Sequence, residues 1–274
     1  MAGGQSALDA ISHVRRGSGT PVVLVHGLGS RWEVFEPIVD QVAERHDVLA
    51  VDLPGFGRTP ADGTVSPGPV GYARWLARLL ADAGIEAPHV VGSSMGGGIA
   101  LELGRIGVAS RVTAFSPVGF WTNPGRRWCQ GFVTALRVAG KTGGPLLDRG
   151  VELAPVRAAL VASLIGQPTR VPADAARLQL DGLVTASSFA AARDSFTGYR
   201  LDTGDDPGGL AEIPVTVAWG TRDYLLVHRT QSSRARAVLP KARHIDLVGC
   251  GHLPFSDAPN VCARLVLDDP EEWK

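Results

Sequence analysis

The stretch His89-Val90-Val91-Gly92-Ser93-Ser94-Met95-Gly96-Gly97-Gly98 decides how this chain is read. It begins as a short apolar run and ends in small residues that open a longer amphipathic segment, Met95–Gly107. A strand therefore turns into a helix within Gly92-Ser93-Ser94-Met95-Gly96, a G-x-S-x-G pattern. So sharp a turn strains its central residue and projects the Ser94 Oγ above the sheet. Glycine is expected at 92 and 96, because a side chain there would collide with neighbouring elements. Ser93 is the adjacent alternative, but only Ser94 is centred between the two glycines. A Gly/Ser-rich turn before a helix also suits a phosphate. Against that use, the turn lacks a Walker lysine, and no G-x-G-x-x-G follows the first strand.

The pattern extends in both directions. Pro21–His26, His46–Asp52, Arg111–Phe115, Ile213–Trp219 and His244–Val248 are short, largely apolar and closed by Gly or Pro. Such runs read as buried parallel strands. Helical stretches lie between them at Trp32–Arg45, Gly68–Ala83, His228–Leu239 and Ala258–Leu267. The alternation predicts an α/β fold with a mostly parallel, doubly wound sheet. Ala7–Val14 is expected to add an antiparallel edge strand. From Val118 to about Gly209 the alternation stops. Leu160, Val161 and Leu164, then Leu178, Leu180 and Leu183, recur at helical spacing, and turn-rich segments bound the region. The expected organisation is a core of residues 1–117 and 210–274 with a helical cap, 118–209, over the strand ends.

A serine is a weak nucleophile unless a base takes its proton and an acid orients that base. Asp223 falls in the loop after Ile213–Trp219, and His252 in the loop after His244–Val248. Asp223 is also placed to serve as a helix-start acid. The loop after Arg111–Phe115, Ser116-Pro117-Val118-Gly119, offers no rival carboxylate. His26 is expected to brace its own loop, and Asp52 to form the Asp-x-Pro-Gly turn. His13, His46, His89, His228 and His244 show no paired ligand spacing, so no metal is expected and surface positions are. The three cysteines, Cys129, Cys250 and Cys262, form no C-x-x-C pair and read as buried thiols.

With these residues in place the chain resembles the α/β-hydrolase superfamily over nearly its whole length. The resemblance rests on His26-Gly27-Leu28-Gly29, Asp52-Leu53-Pro54-Gly55-Phe56-Gly57, the Ser94 turn, Asp223 and Gly251-His252-Leu253-Pro254, all in order. It implies a Ser94–His252–Asp223 triad without a cofactor. It also implies an oxyanion hole built from the Leu28 and Met95 amides. The N-terminal hairpin is short for that superfamily, and Arg58-Thr59 stands where many relatives have a serine.

Composition narrows the partners. The 274 residues carry 27 Lys+Arg against 27 Asp+Glu, and this zero balance gives no reason to expect nucleic acid or an anionic membrane. No apolar run approaches the roughly 20 residues of a membrane span, and Met1–Ser6 has no secretory-type apolar stretch. A soluble cytoplasmic chain is expected, with oligomeric state left open. The expected activity is hydrolysis of a carboxylic ester, thioester or lactone with an apolar acyl or aromatic part. Phe56, Phe120, Trp121 and Trp128 are candidate substrate contacts, and core packing is the competing role for them. Rival functions are cleavage of a carbon–carbon bond in a vinylogous diketone, a cofactor-free haloperoxidase-like activity, and a non-catalytic ligand receptor. Dehalogenase and epoxide hydrolase chemistry need an Asp nucleophile where Ser94 stands.

Overall fold

The computed structural model describes residues 7–268. Among the described residues seven strands form one sheet in the order β1-β3-β2-β4-β5-β6-β7. They are β1 His13–Arg16, β2 Thr20–Val25, β3 His46–Val51, β4 His89–Ser93, β5 Arg111–Phe115, β6 Val215–Gly220 and β7 Arg243–Leu247. All neighbours pair in parallel except β1, which runs antiparallel to β3 with His13 opposite Val51. Every residue of β4 and β6 is buried, as strands covered on both faces require.

The edge strand lies later than expected. Ala7 and Leu8 are helical, and Leu8 is buried in the core rather than paired in the sheet. A turn closed by the Ile11 N–H donating to the Leu8 carbonyl (3.1 Å) then delivers His13–Arg16 to the sheet edge. There Arg15 reaches across to Asp47 (2.9 Å), so the strand's polar side faces outward.

Helices cover both faces. Glu36–Ala43, entered through the 3-10 turn Trp32–Phe35, packs on one side with Pro259–Leu267. Pro69–Asp82 and Met95–Arg105 cover the other. Met95–Arg105 packs closely on the sheet because three glycines, Gly96, Gly97 and Gly98, follow Met95 in its first turn. A Cβ on Gly96 would run into the Val25 carbonyl oxygen, and one on Gly97 would come within 2.9 Å of Pro117 Cβ. Gly92 is constrained likewise, since its Cβ would strike the Gly96 carbonyl.

Between β5 and β6 the described chain forms only helices and turns. The helix Asn123–Gly150 breaks at Gly144 (φ 34°, ψ −125°), and Ala154–Val161, Ala173–Thr185 and Phe189–Ser195 follow. None of the described helices is long and apolar enough to cross a membrane.

The close approach at Gly96 is testable. Gly96→Ala has only backbone to push against, so it should lose about 3 kcal/mol or more of stability in urea unfolding. Gly131→Ala, in a helix with nothing near its Cβ, should instead gain about 0.5–1 kcal/mol.

Candidate active site

In a parallel sheet all strand ends of one kind lie along one edge. The loops after β2, β4, β6 and β7 therefore meet at the carboxyl edge. Ser94 directly follows β4, with φ 57° and ψ −116°, a conformation costing a non-glycine residue about 1–3 kcal/mol. Surrounding hydrogen bonds hold it there. Its N–H donates to the Phe115 carbonyl (2.9 Å), and its carbonyl accepts from Gly98 (3.2 Å) and Val118 (3.1 Å). The expected strained turn is thus present, with Ser94 at its apex.

Asp223 and His252 meet across two loops. The Asp223 Oδ2 lies 2.8 Å from His252 Nδ1. Because an ionised carboxylate only accepts, His252 donates from Nδ1, and in a neutral imidazole the other nitrogen, Nε2, is then the acceptor. The other Asp223 oxygen accepts the Leu225 (3.0 Å) and Leu226 (2.9 Å) amides. The two loops are also tied together directly. Arg222 N–H donates to the Cys250 carbonyl (2.8 Å), and Gly249 N–H to Thr221 Oγ1 (2.9 Å). Only glycine fits at 220, where a Cβ would strike the Gly251 carbonyl. Both Asp223 and His252 are almost fully buried.

The loop after β2 closes over Ser94. A Cβ on Gly27 would lie 2.9 Å from Ser94 Cβ. Among the described residues, neither the Leu28 nor the Met95 N–H donates to a protein acceptor. His26 braces this loop as expected, donating from Nδ1 to the Gly27 carbonyl (2.8 Å) while its Nε2 accepts the Leu53 amide (3.0 Å). Burial lowers its pKa, against the opposing pull of Asp52. Asp52 forms its turn, accepting the amides of Trp32 (2.8 Å) and Arg58 (2.9 Å).

Ser94, His252 and Leu28 line one cavity of about 140 Å³. The rest of its wall comes largely from the helical insertion, including Leu136, Leu160, Leu180 and Leu183. No Lys, Arg, Asp or Glu lines it among the described residues; Gln179 and Ser30 are its further polar side chains apart from Cys129. Burial pushes the Cys129 thiol up to about 12, with the Asp223 charge adding to it. That thiol is protonated at neutral pH and is no competing nucleophile. Among the described residues no group of three or more His, Cys, Asp or Glu could hold a metal.

The four aromatic contact candidates do not line this cavity. Phe56 is fully buried, edge-on to His26 (5.6 Å) and Tyr72 (6.1 Å). Phe120 packs edge-on to Trp219 (6.4 Å) in the core. Trp121 donates its indole N–H to the Tyr199 carbonyl (2.9 Å) and rests on Phe196 (5.1 Å), so it backs the cavity wall from behind. Trp128 is 50% exposed and donates to the Tyr224 carbonyl (3.0 Å). Large aromatics at the start of the insertion are used to fasten it to the core, and leucines face the cavity. His89 is a further correction: it is buried, hydrogen-bonded to Thr113 (2.9 Å), with its pKa driven well down by burial.

The alpha/beta hydrolase family model matches residues 22–265. The chain belongs to the alpha/beta hydrolase family. The chain is 31% identical over 260 residues to the dihydrolipoyllysine-residue acetyltransferase component of an acetoin cleaving system from Cupriavidus necator, covering 91% of this chain. It spans 63% of that relative's length. Over 95 residues, 34% of this chain and 35% of the relative, it is 40% identical to a pimeloyl-(acyl-carrier protein) methyl ester esterase of Aeromonas hydrophila subsp. hydrophila. In three dimensions it resembles a thermophilic esterase from Thermogutta terrifontis, with TM-score 0.71, 20% identity and coverage of 96% and 92% of the two chains.

Two outcomes check this description. Trp121→Ala should cost about 3–5 kcal/mol in chemical denaturation, as for a core aromatic, and Trp128→Ala about 1 kcal/mol or less. The second outcome concerns pH. His26 and His89 take up a proton in the unfolded chain near pH 6.5 but resist it when folded. Their contribution to stability is complete above about 6.5 and is lost as pH falls below it, by at most about 1.4 kcal/mol per unit for each histidine. The urea midpoint should therefore drop on acidification, and His89→Gln should flatten the drop.

Proposed function

We propose that this hydrolase cleaves carboxylic esters or thioesters of compact apolar acyl groups through an acyl-enzyme. The supporting observation is that the strained Ser94 shares an apolar cavity with His252, whose Nδ1 is engaged by Asp223. His252 Nε2 takes the Ser94 proton as Oγ attacks the carbonyl carbon. Asp223 fixes the tautomer and stabilises the imidazolium that forms. The Leu28 and Met95 amides receive the oxyanion, each supplying roughly 2.7–4 kcal/mol by analogy with deleted donors elsewhere. Collapse expels the alcohol or thiol, which collects the proton from His252. Water then enters, His252 removes its proton, and the acid is released with Ser94 restored.

The cavity supports the substrate class. A volume of about 140 Å³ is close to the roughly 150 Å³ of an apolar cavity that takes up benzene. Each methylene buried there contributes about 0.8 kcal/mol. A wall with no Lys, Arg, Asp or Glu among the described residues favours this reading over carbon–carbon hydrolysis of a diketone, which would want a polar end for a second carbonyl or carboxylate. The esterase name of the Aeromonas hydrophila relative agrees with ester cleavage.

A fluorophosphonate probe tests the nucleophile, since Ser94 Oγ forms a bond to phosphorus as fluoride leaves. The intact chain should label stoichiometrically and Ser94→Ala should not. Labelling of Ser94→Ala at the original rate, or none in the folded parent, rejects the assignment. With p-nitrophenyl esters, kcat/KM should rise from acetate to hexanoate and collapse at palmitate.

A further inference from the structure

We infer that Asp257 is a positioning residue for His252, and that it acts by clamping the helical insertion to the histidine loop. This rests on the reading of His252 as the base. Asp257 ends the turn Pro254–Asp257 and is buried. Its Oδ2 accepts the amides of Gly251 (2.8 Å) and Gly166 (2.8 Å), and its Oδ1 accepts the amide of Gln167 (2.7 Å). The Gln167 side chain returns to the Asp257 carbonyl (3.3 Å).

These bonds bracket the histidine. On one side of His252, the Gly251 N–H is held by Asp257. On the other, the Leu253 N–H donates to the Leu164 carbonyl (2.9 Å). Neither anchor is a sheet hydrogen bond, and Leu164 belongs to the insertion. Arg222, next to Asp223, adds a third tie through Nη1 to the Gly166 carbonyl (3.1 Å). The backbones touch here: a Cβ on Gly166 would strike the Gly249 carbonyl, and one on Gly251 would lie 2.6 Å from the Leu164 carbonyl. Residues 164–167 thus form the floor under the histidine loop.

The chemistry calls for a carboxylate. Three N–H donors converge on two oxygens, and a buried anion is well matched to such a set. An acid that merely caps its own turn would accept from that turn. Two of the three amides here lie 90 and 91 residues away in sequence. Asparagine is nearly the same shape, but its amide nitrogen would face at least one of these donors.

The test compares Asp257→Asn with the parent. Displacing a reacting group by about 1 Å costs on the order of 10²-fold, so kcat on p-nitrophenyl butanoate should fall by about that factor. Fluorophosphonate labelling of Ser94 should slow in parallel, with an unchanged circular dichroism spectrum. The downfield proton resonance of the His252–Asp223 hydrogen bond should shift or broaden. Labelling and kcat at parental values, or a rise in KM alone, would overturn the inference. A parent that fails to label would instead overturn the reading of Ser94. Where Asp257→Asn does not fold, hydrogen exchange in the parent decides: the amides of Gly166, Gln167 and Gly251 should open together at one rate. Three separate rates refute the clamp.

Discussion

Everything at the carboxyl edge depends on one backbone constraint, the positive φ of Ser94. A serine reaches that conformation only when its surroundings over-determine it. Here the end of β5 takes the Ser94 N–H, while Gly98 and Val118 take its carbonyl. The strain also dictates what lies near. The helix after Ser94 must start at once, so it descends onto β2 and β5, and Gly92, Gly96 and Gly97 leave room for it. The same close packing brings Gly27 against Ser94. A local cost at one residue thereby organises the β2 loop, the β4 turn and the first helical turn after it.

Two buried histidines show how hydrogen bonding divides roles between like side chains. His26 has both ring nitrogens engaged, one as donor and one as acceptor, and burial keeps it neutral. It has no capacity left for chemistry and serves as a brace. His252 is nearly as buried, yet among the described residues only Nδ1 is engaged. His252 lines the cavity that Ser94 also lines. The difference is the partner: a carboxylate that takes a proton-bearing nitrogen, against a carbonyl and an amide that satisfy both.

Much of this was legible from residue order alone. Arg111–Phe115 matches its strand residue for residue, and the helix begins at Met95 as the glycine spacing requires. These elements are specified by local rules, namely β-branched runs, tight turns and steric demands on glycine. Residue order is less informative where tertiary packing decides. Leu8 lies in an apolar stretch that suits a strand, but the core takes it from outside the sheet. Trp121 and Phe120 have the bulk to line a pocket, yet their large rings are what fasten the insertion to the core. His89 carries no sequence sign of burial, because its partner Thr113 lies on the neighbouring strand. Asp257 did leave a trace, an acid inside the otherwise largely apolar stretch Leu253–Pro259. Nothing in that spacing names Gly166 and Gln167 as its partners.

The insertion therefore has two mechanically different parts. The leucine-bearing faces of Asn123–Gly150 and Ala173–Thr185 form cavity wall, and their contacts to the core are chiefly side-chain packing with a few polar ties such as Arg31 to Asp181. Volume-conserving apolar exchanges are the changes such a wall tolerates best. Residues 164–167 are different, because their own backbone amides and carbonyls are held, the amides of Gly166 and Gln167 by the Asp257 carboxylate and the Leu164 carbonyl by the Leu253 amide. A shift in that segment is carried directly to the peptides on either side of His252. Cavity lining and support of the His252 loop are thus separated between β5 and β6: side chains of Asn123–Gly150 and Ala173–Thr185 line the cavity, and the backbone of residues 164–167 meets the loop.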